Sequence, residues 1–462
     1  MSADEARSAS LIRSSLYNSV WRWHFYAGMI VIPFILVLAV TGAAYLFKPQ
    51  VERWEERAFH GLPVASAVEP HVQVAAALAA FPGTRLSSYR LPDRTGDAAM
   101  IHLVTPDGRV ACDAFVSPRG EVLGSMLPEA RMMAWIKRLH GQLLLGKRGS
   151  WLVELVASWA IVLVLSGLYL WWPRRGGLAG VIWPRLLSGK RVFWRDLHAV
   201  TGFWISGLVL LLLATGLPWA GLWGGAFKAV RTELGWLKGP QTWTLGGEAP
   251  RLENSASHAM HNQAAPMRMV PTPPAVRTSI DDFVVKAKQE QLAFPVIVTP
   301  PDPAGTNGIF AWTVRSDAQN RPLQMTITYD AGTGREIARE GFADGHIADR
   351  IVGYGIAWHE GQLFGWLNQL IGVLTAIGLI VMAISGFILW RRRKPEHGLG
   401  APPPAKFTER MGIVVAIALV LAAVLPLLAA SLVVLWLFER LALPHLPRVA
   451  AWLGASRRGA PA

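Results

Sequence analysis

The 462-residue chain has a single cysteine, Cys112, so no disulfide framework is available to it. For the same reason it has no Cys-x-x-Cys pair for zinc or thiol redox chemistry, and no Cys-x-x-Cys-His site for attaching a macrocycle covalently. Charge is also scarce: 16% of residues are charged against 52% hydrophobic, and the mean hydropathy is +0.31. That balance is wrong for a purely soluble protein, although the length leaves room for soluble domains. Acidic residues are the rarer sign, 31 against 45 basic, for a net charge of +14. The segments between apolar runs carry no flavin or nicotinamide fingerprint. No small-residue cleavage site follows the first apolar run, which is too long for a secretion signal and reads as an anchor.

Five runs are long and apolar enough to cross a bilayer, at 25–47, 151–172, 200–222, 367–390 and 411–438. Basic residues sort the connections between them. Arg174, Arg175, Arg185, Lys190, Arg191 and Arg195 crowd one connection, and Arg391, Arg392, Arg393, Lys394, Lys406 and Arg410 crowd another. Such short basic segments stay in the cytoplasm, as does the N-terminus with Arg7, Arg13 and Arg22. The charge is thus accounted for by topology, and no nucleic-acid partner is implied. The predicted order is a cytoplasmic lead (1–24), a first span (25–47), an outside domain (48–139) and a second span opening at His140 (140–172). A cytoplasmic loop (173–197), a third span (198–222), a second outside domain (223–358), a fourth span (359–390) and a loop (391–410) follow. A fifth span (411–438) then carries the tail (439–462) outward.

Both outside segments read as α+β. The first predicts a helix over Val68–Ala80 and strands over Arg85–Leu91, Ala98–Thr105 and Arg109–Val116. The second predicts a helix over Ser279–Gln291 and strands over Pro295–Thr299, Ile309–Arg315 and Gln324–Tyr329. The fold class is therefore an α-helical membrane protein built as a parallel repeat of helix, α+β domain and helix, giving four core spans plus a fifth at the C-terminus.

The spacing of histidines carries the repeat. His24 precedes Gly28 by four residues and Thr41-Gly42 by seventeen; His198 precedes Gly202 and Thr215-Gly216 by the same intervals. His140 precedes Ser166-Gly167 by 26 residues and Trp171 by 31, and His359 precedes Ser385-Gly386 and Trp390 by the same intervals. The topology pairs His24 with His198 at the cytoplasmic side and His140 with His359 at the outer side. Imidazole suits iron, and a histidine from each of two facing helices is how bundles hold a planar haem. Gly28 and Gly202, one turn along, are placed to let a flat macrocycle approach the backbone. A zinc or copper pair and ordinary interfacial histidines are the alternatives; two imidazoles alone leave a zinc site incomplete. His140 lies eleven residues before the apolar run at Trp151, which predicts an outer site about 16 Å beyond the run, at the membrane surface.

Other side chains form a second rank. His258, Met260, His261, Met267 and Met269 are soft-metal candidates in an irregular segment. Glu360 is a candidate to orient His359, and Arg22 and Arg195 are candidates for pairing with carboxylates of the macrocycle. His60, His71, His102, His346, His397 and His445 show no partner pattern and read as surface residues.

The motifs Trp23-His24…Thr41-Gly42, Leu139-His140…Ser166-Gly167-Leu168-Tyr169-Leu170-Trp171-Trp172-Pro173-Arg174, Arg195-Asp196-Leu197-His198…Thr215-Gly216 and His359-Glu360-Gly361…Gly365…Gly386…Trp390 resemble the PepSY-associated transmembrane family. The resemblance runs from about residue 20 to 393 and leaves out the fifth span. It implies PepSY-like outside domains and an iron-regulated inner-membrane protein. Its fullest implication is a ferric-siderophore reductase with two b-type haems, ligated by His24, His140, His198 and His359, and large periplasmic domains. Electrons would come from a cytoplasmic donor or a quinol. Two other readings stay open: a membrane-anchored binding or transport component for a siderophore, peptide or protease, and a quinol oxidase-like cytochrome.

Overall fold

The computed structural model describes residues 3–173, 179–236, 278–301, 311–402 and 411–455. The soft-metal candidates from His258 to Met269 lie outside the described residues, as do Ile309 and Phe310 at the start of one predicted strand.

Among the described residues, five helical segments are long and apolar enough to cross a membrane. The chain opens with α1 (Ala3–Tyr45), followed by α2 (Lys48–Glu55), α3 (Pro70–Ala80), β1 (Arg85–Arg90), β2 (Ala99–Val104), β3 (Val110–Val116) and β4 (Val122–Met126). Then come α4 (Met132–Gln142), α5 (Gly146–Trp171), α6 (Lys190–Gly216) and α7 (Gly221–Glu233). The second half continues with α8 (Ile280–Gln289), β5 (Val296–Thr299), β6 (Ala311–Ser316), β7 (Met325–Asp330), β8 (Glu336–Gly341), α9 (Ile347–His359) and α10 (Trp366–Arg393). The chain closes with α11 (Met411–Val424), α12 (Pro426–Leu437) and α13 (Pro447–Trp452). Local chemistry sets several starts. Pro70 and Pro426 supply the fixed φ that suits a first helical turn, and Ser279 and Asp282 close a capping box on α8.

The strands of the two predicted outside segments do not form two separate domains. They form one eight-stranded antiparallel sheet in the order β4-β3-β2-β1-β5-β6-β7-β8. The seam is short: Tyr89 faces Val298, Arg90 faces Ile297, and Leu91 N–H donates to Val296 O at 2.9 Å. Helices α3 and α8 cover one face, closing a core of Val74, Ala77, Tyr89, Ile101, Leu103, Phe283, Val298 and Ile327. Each Val, Ile, Leu or Phe among them contributes about 1.5–3 kcal/mol on full burial. His71 and Asp281 tie α3 to α8 at 2.7 Å. On the opposite face the first half is sealed by Phe59 stacked on Phe115 at 4.1 Å, with Leu62, Met100 and Met126 around it. The second half has no such plug among the described residues.

In the bundle, α1 packs against α5 and α10, and α6 packs against α5 and α10. The basic residues Arg22, Arg195 and Arg391–Arg393 mark one end of these helices and the sheet marks the other. Two spans differ from expectation. His140 does not open the second span: Leu143 and Leu144 take left-handed conformations (φ 48° and 59°) and separate α4 from α5. The reversal brings the end of α4 back against α5, where a Cβ on Gly149 would lie 1.7 Å from Gln142 O, so only glycine fits. His359 likewise ends α9, and Gly361 and Gly365 (φ 72° and 56°) turn the chain into α10.

The fifth span is also divided. Leu425 is extended and Pro426 cannot continue α11. Trp223, beyond the sheet end of α6, donates to Val424 O at 3.0 Å. At the basic end, Arg22 donates to Pro402 O (2.7 Å) and Gly454 O (3.0 Å), and Tyr26 donates to Leu453 O (2.5 Å). The chain therefore rises from the basic end to residue 424 and returns. The predicted outward exit of the tail is overturned: residue 455 lies at the basic end, which also suits Arg448.

Candidate functional site

The four spaced histidines meet in two pairs. At the basic end His24 of α1 faces His198 of α6, with ring centroids 6.4 Å apart and planes at 87°. At the sheet end His140 of α4 faces His359 of α9, with centroids 6.3 Å apart and planes at 69°. A metal–imidazole bond of about 2 Å on each side, plus about 1 Å from donor nitrogen to ring centre, puts two trans imidazoles about 6 Å apart. Both pairs match that separation.

Each ring is held by a hydroxyl on a neighbouring helix. His24 Nδ1 lies 2.9 Å from Ser166 Oγ, and His198 Nδ1 lies 3.0 Å from Ser385 Oγ. His140 Nδ1 lies 3.0 Å from Thr41 Oγ1, and His359 Nδ1 lies 3.2 Å from Thr215 Oγ1. The glycine after each hydroxyl residue makes room for the ring. A Cβ on Gly167, Gly386, Gly42 or Gly216 would come within 3.0–3.2 Å of the Cε1 of its histidine. The Ser/Thr-Gly dipeptides were visible in the spacing, but their use is crossed. Thr41 shares α1 with His24 yet holds His140, and Ser166 holds His24.

The two glycines singled out for their place one turn from a histidine do not touch a ring. Gly202 packs against Met382, whose Cε would lie 2.9 Å from an added Cβ, so it serves the α6–α10 contact. Beside Gly28 only Leu163 comes within 4 Å, at 3.8 Å. Arg22 and Arg195 are also engaged elsewhere. Arg22 holds the carbonyls of Pro402 and Gly454, while Arg195, with Arg185, grips the fully buried carboxylate of Asp196 at 2.6 and 2.7 Å.

Three histidines read as surface residues have carboxylate partners: His60 with Asp97 (2.9 Å), His71 with Asp281 (2.7 Å) and His102 with Asp113 (2.5 Å). His346 accepts from Ala348 N–H at the start of α9 and stacks on Trp236. These contacts join residues distant in sequence or depend on the local turn, so no regular spacing announced them.

The sheet-end pair does not sit beyond the bundle. Because α4 folds back, His140 reaches Thr41, inside the membrane-length part of α1. Seventeen residues of α1 separate His24 from Thr41, which puts the pairs about 26 Å apart along the helix axis. The sheet-end pair opens into a cavity of about 900 Å³, lined by Leu38, Ala39, Gly42, Leu212 and Gly216 below and by Arg315, Thr326 and Glu340 of the sheet above. Its wall also holds Glu360, Lys48, Lys137 and Arg321.

In its neutral form each of the paired imidazoles offers one lone pair. Burial pushes the Glu360 carboxyl up, against the pull of Arg321, Lys48 and Lys137.

Among the described residues no three His, Cys, Asp or Glu side chains gather as a metal group. The donor set at each site is two imidazoles on opposite sides of a gap, with a glycine beside each ring. That arrangement fits iron whose other four ligands come from a planar macrocycle. Comparison with curated proteins returned no match. The family model described as the PepSY-associated TM region matches residues 21–393, which take in all four histidines and the whole sheet, and the chain belongs to that family.

Proposed function

We propose that the chain is an oxidoreductase of the bacterial inner membrane that holds two b-type haems and reduces a ferric siderophore on the sheet side, taken to be periplasmic. His24 and His198 would ligate one haem, and His140 and His359 the other. The observation that supports this best is the pair of imidazole separations, 6.4 and 6.3 Å, at opposite ends of one bundle. When bound, the group supplies one-electron chemistry that none of the chain's side chains offers.

The chain's own part is binding and placement. Ser166, Ser385, Thr41 and Thr215 orient the ligands, and the glycines beside them hold open the room for each ring. The cavity above the sheet-end pair supplies space for a polar acceptor near His359. The electron donor is a separate cytoplasmic molecule or a quinol. Reduction of the chelated iron weakens the hold of hard oxygen ligands and releases it. We further infer that the halves, each a membrane-length helix followed by an outer helix, four strands and two helices, are copies related by an axis along the membrane normal.

Absorption spectroscopy of the purified full chain tests the reading. A reducible Soret band and sharp α-bands are expected, at up to two haems per chain. His198→Ala and His359→Ala are each expected to remove one haem and leave the other. A colourless preparation that is fully folded would overturn it. The 900 Å³ cavity would then favour the second reading, a membrane-anchored binding component without electron transfer.

A further inference from the structure

Beside each histidine the proton positions follow from the heavy atoms. The four hydroxyls all sit on helices, and each also reaches the carbonyl one turn back. Ser166 Oγ lies 2.6 Å from Val162 O and Ser385 Oγ 2.6 Å from Val381 O. Thr41 Oγ1 lies 2.7 Å from Val37 O and Thr215 Oγ1 2.8 Å from Leu211 O. A carbonyl only accepts, so the single hydroxyl proton is committed to it. The hydroxyl oxygen is left to accept from Nδ1, and Nδ1 must carry the ring's proton. At His198 and His359 a second carbonyl points the same way: Met382 O at 3.2 Å and Leu212 O at 3.0 Å. All four rings are thereby fixed in the tautomer that leaves the lone pair on Nε2.

We propose that Thr41, Ser166, Thr215 and Ser385 are positioning residues that fix the tautomer of the ligand histidines and set the redox potential of each pair separately, in a crossed pattern along the chain. The proposal rests on the haem reading above. A ligand imidazole that donates its other N–H to a fixed acceptor is a more basic ligand. It favours the oxidised iron, so the pair's potential is lower with the acceptor than without it. Thr41 governs the sheet-end pair although its helix carries His24 of the other pair. Ser166 governs the basic-end pair although its helix follows His140. Neighbourhood in sequence and governance in space are therefore opposed, and the two can be told apart.

The test is a spectroelectrochemical titration of the haem-loaded full chain, wild type beside Thr41→Val, Ser166→Ala, Thr41→Ser and Ser166→Thr. Thr41→Val is expected to raise the potential of the sheet-end pair alone. A tenfold change in the oxidised-to-reduced ratio corresponds to about 59 mV for one electron. Ser166→Ala is expected to raise the basic-end pair alone, and Thr41→Ser and Ser166→Thr to stay at the wild-type values. Loss of one haem in Thr41→Val with recovery in Thr41→Ser would support the same assignment. Unchanged potentials, a joint shift of both pairs, or a shift at the end opposite to that assigned would overturn it. Absence of haem from the wild type would instead overturn the reading on which it rests.

Discussion

The two histidine pairs hold the same separation by different means. At the basic end both imidazoles stand on membrane-length helices, α1 and α6, and the chain segments at that end are tied to the helices. Trp171 donates to Val181 O and Trp390 to Leu399 O, each at 2.9 Å. At the sheet end both imidazoles stand at the last turn of short helices, α4 and α9, which enter the bundle from outside and turn back. The sheet-end pair opens on a cavity of about 900 Å³. Centroid distances within 0.1 Å of each other on such unlike supports indicate that the gap itself is the constrained quantity.

That contrast can be broken from one side at a time. The largest effect is expected at the reversal between α4 and α5. Any side chain at Gly149 meets Gln142 O, so Gly149→Val should displace α4 and abolish the proposed sheet-end haem while the proposed basic-end haem stays. A cost above about 4 kcal/mol is the scale for such a clash. Absorption spectra would show one haem lost; retention of both would mean the turn is not needed.

Next comes the buried carboxylate of Glu56, which fixes the start of α4. It accepts from Arg90 (2.7 Å) and Arg131 (2.5 Å). Burial pushes its carboxyl up, but the two guanidiniums outweigh this and hold it below its ordinary 4.5. Glu56→Gln leaves both arginines short of a partner and should cost about 3–5 kcal/mol. The depressed value means the pair stabilises the fold above pH 4.5 and ceases to as pH falls through the lowered value. Acid melts of wild type and Glu56→Gln should therefore converge; parallel curves would refute the assignment.

A smaller effect is expected from the glycines. Gly42→Ala should weaken haem retention about 10–100-fold at the sheet end only, and Gly167→Ala by a similar factor at the basic end only. Competition with apomyoglobin would measure both. Equal loss at both ends in either variant would erase the distinction between the pairs. The smallest effect is a control: replacing Arg339, exposed on β8 between Glu290 and Glu336, by alanine should leave the melting temperature and both spectral bands as in the wild type.

The intervals of 17 and 26 residues made the pairing of histidines legible before any coordinates, since equal spacings in two apolar runs map to equal heights in a bundle. The break after His140 was not legible. Leu143 and Leu144 are good helix formers, and only packing of α4 against α1 and α5 forces them left-handed. The outermost strands were missed for a related reason. Val122–Met126 and Glu336–Gly341 are edge strands with weak alternation, and the sheet itself selects them. The division of the last span was signalled by Pro426, which the continuous apolar run masked. The Ser/Thr-Gly dipeptides could be seen but not assigned, because each serves a histidine on another helix.

The seam between β1 and β5 bears on how the protein is made. Once Arg90 has left the ribosome, about 200 further residues must follow before Ile297 can face it. At about 5–20 residues per second the wait is about 10–40 s. Throughout that interval β1 presents a bare row of amides and carbonyls, the kind of border that captures stray strands. Newborn chains are thus most vulnerable to misassembly in the middle of synthesis, before Ile297 emerges, and a chaperone that shields naked strand borders in that interval should raise yield.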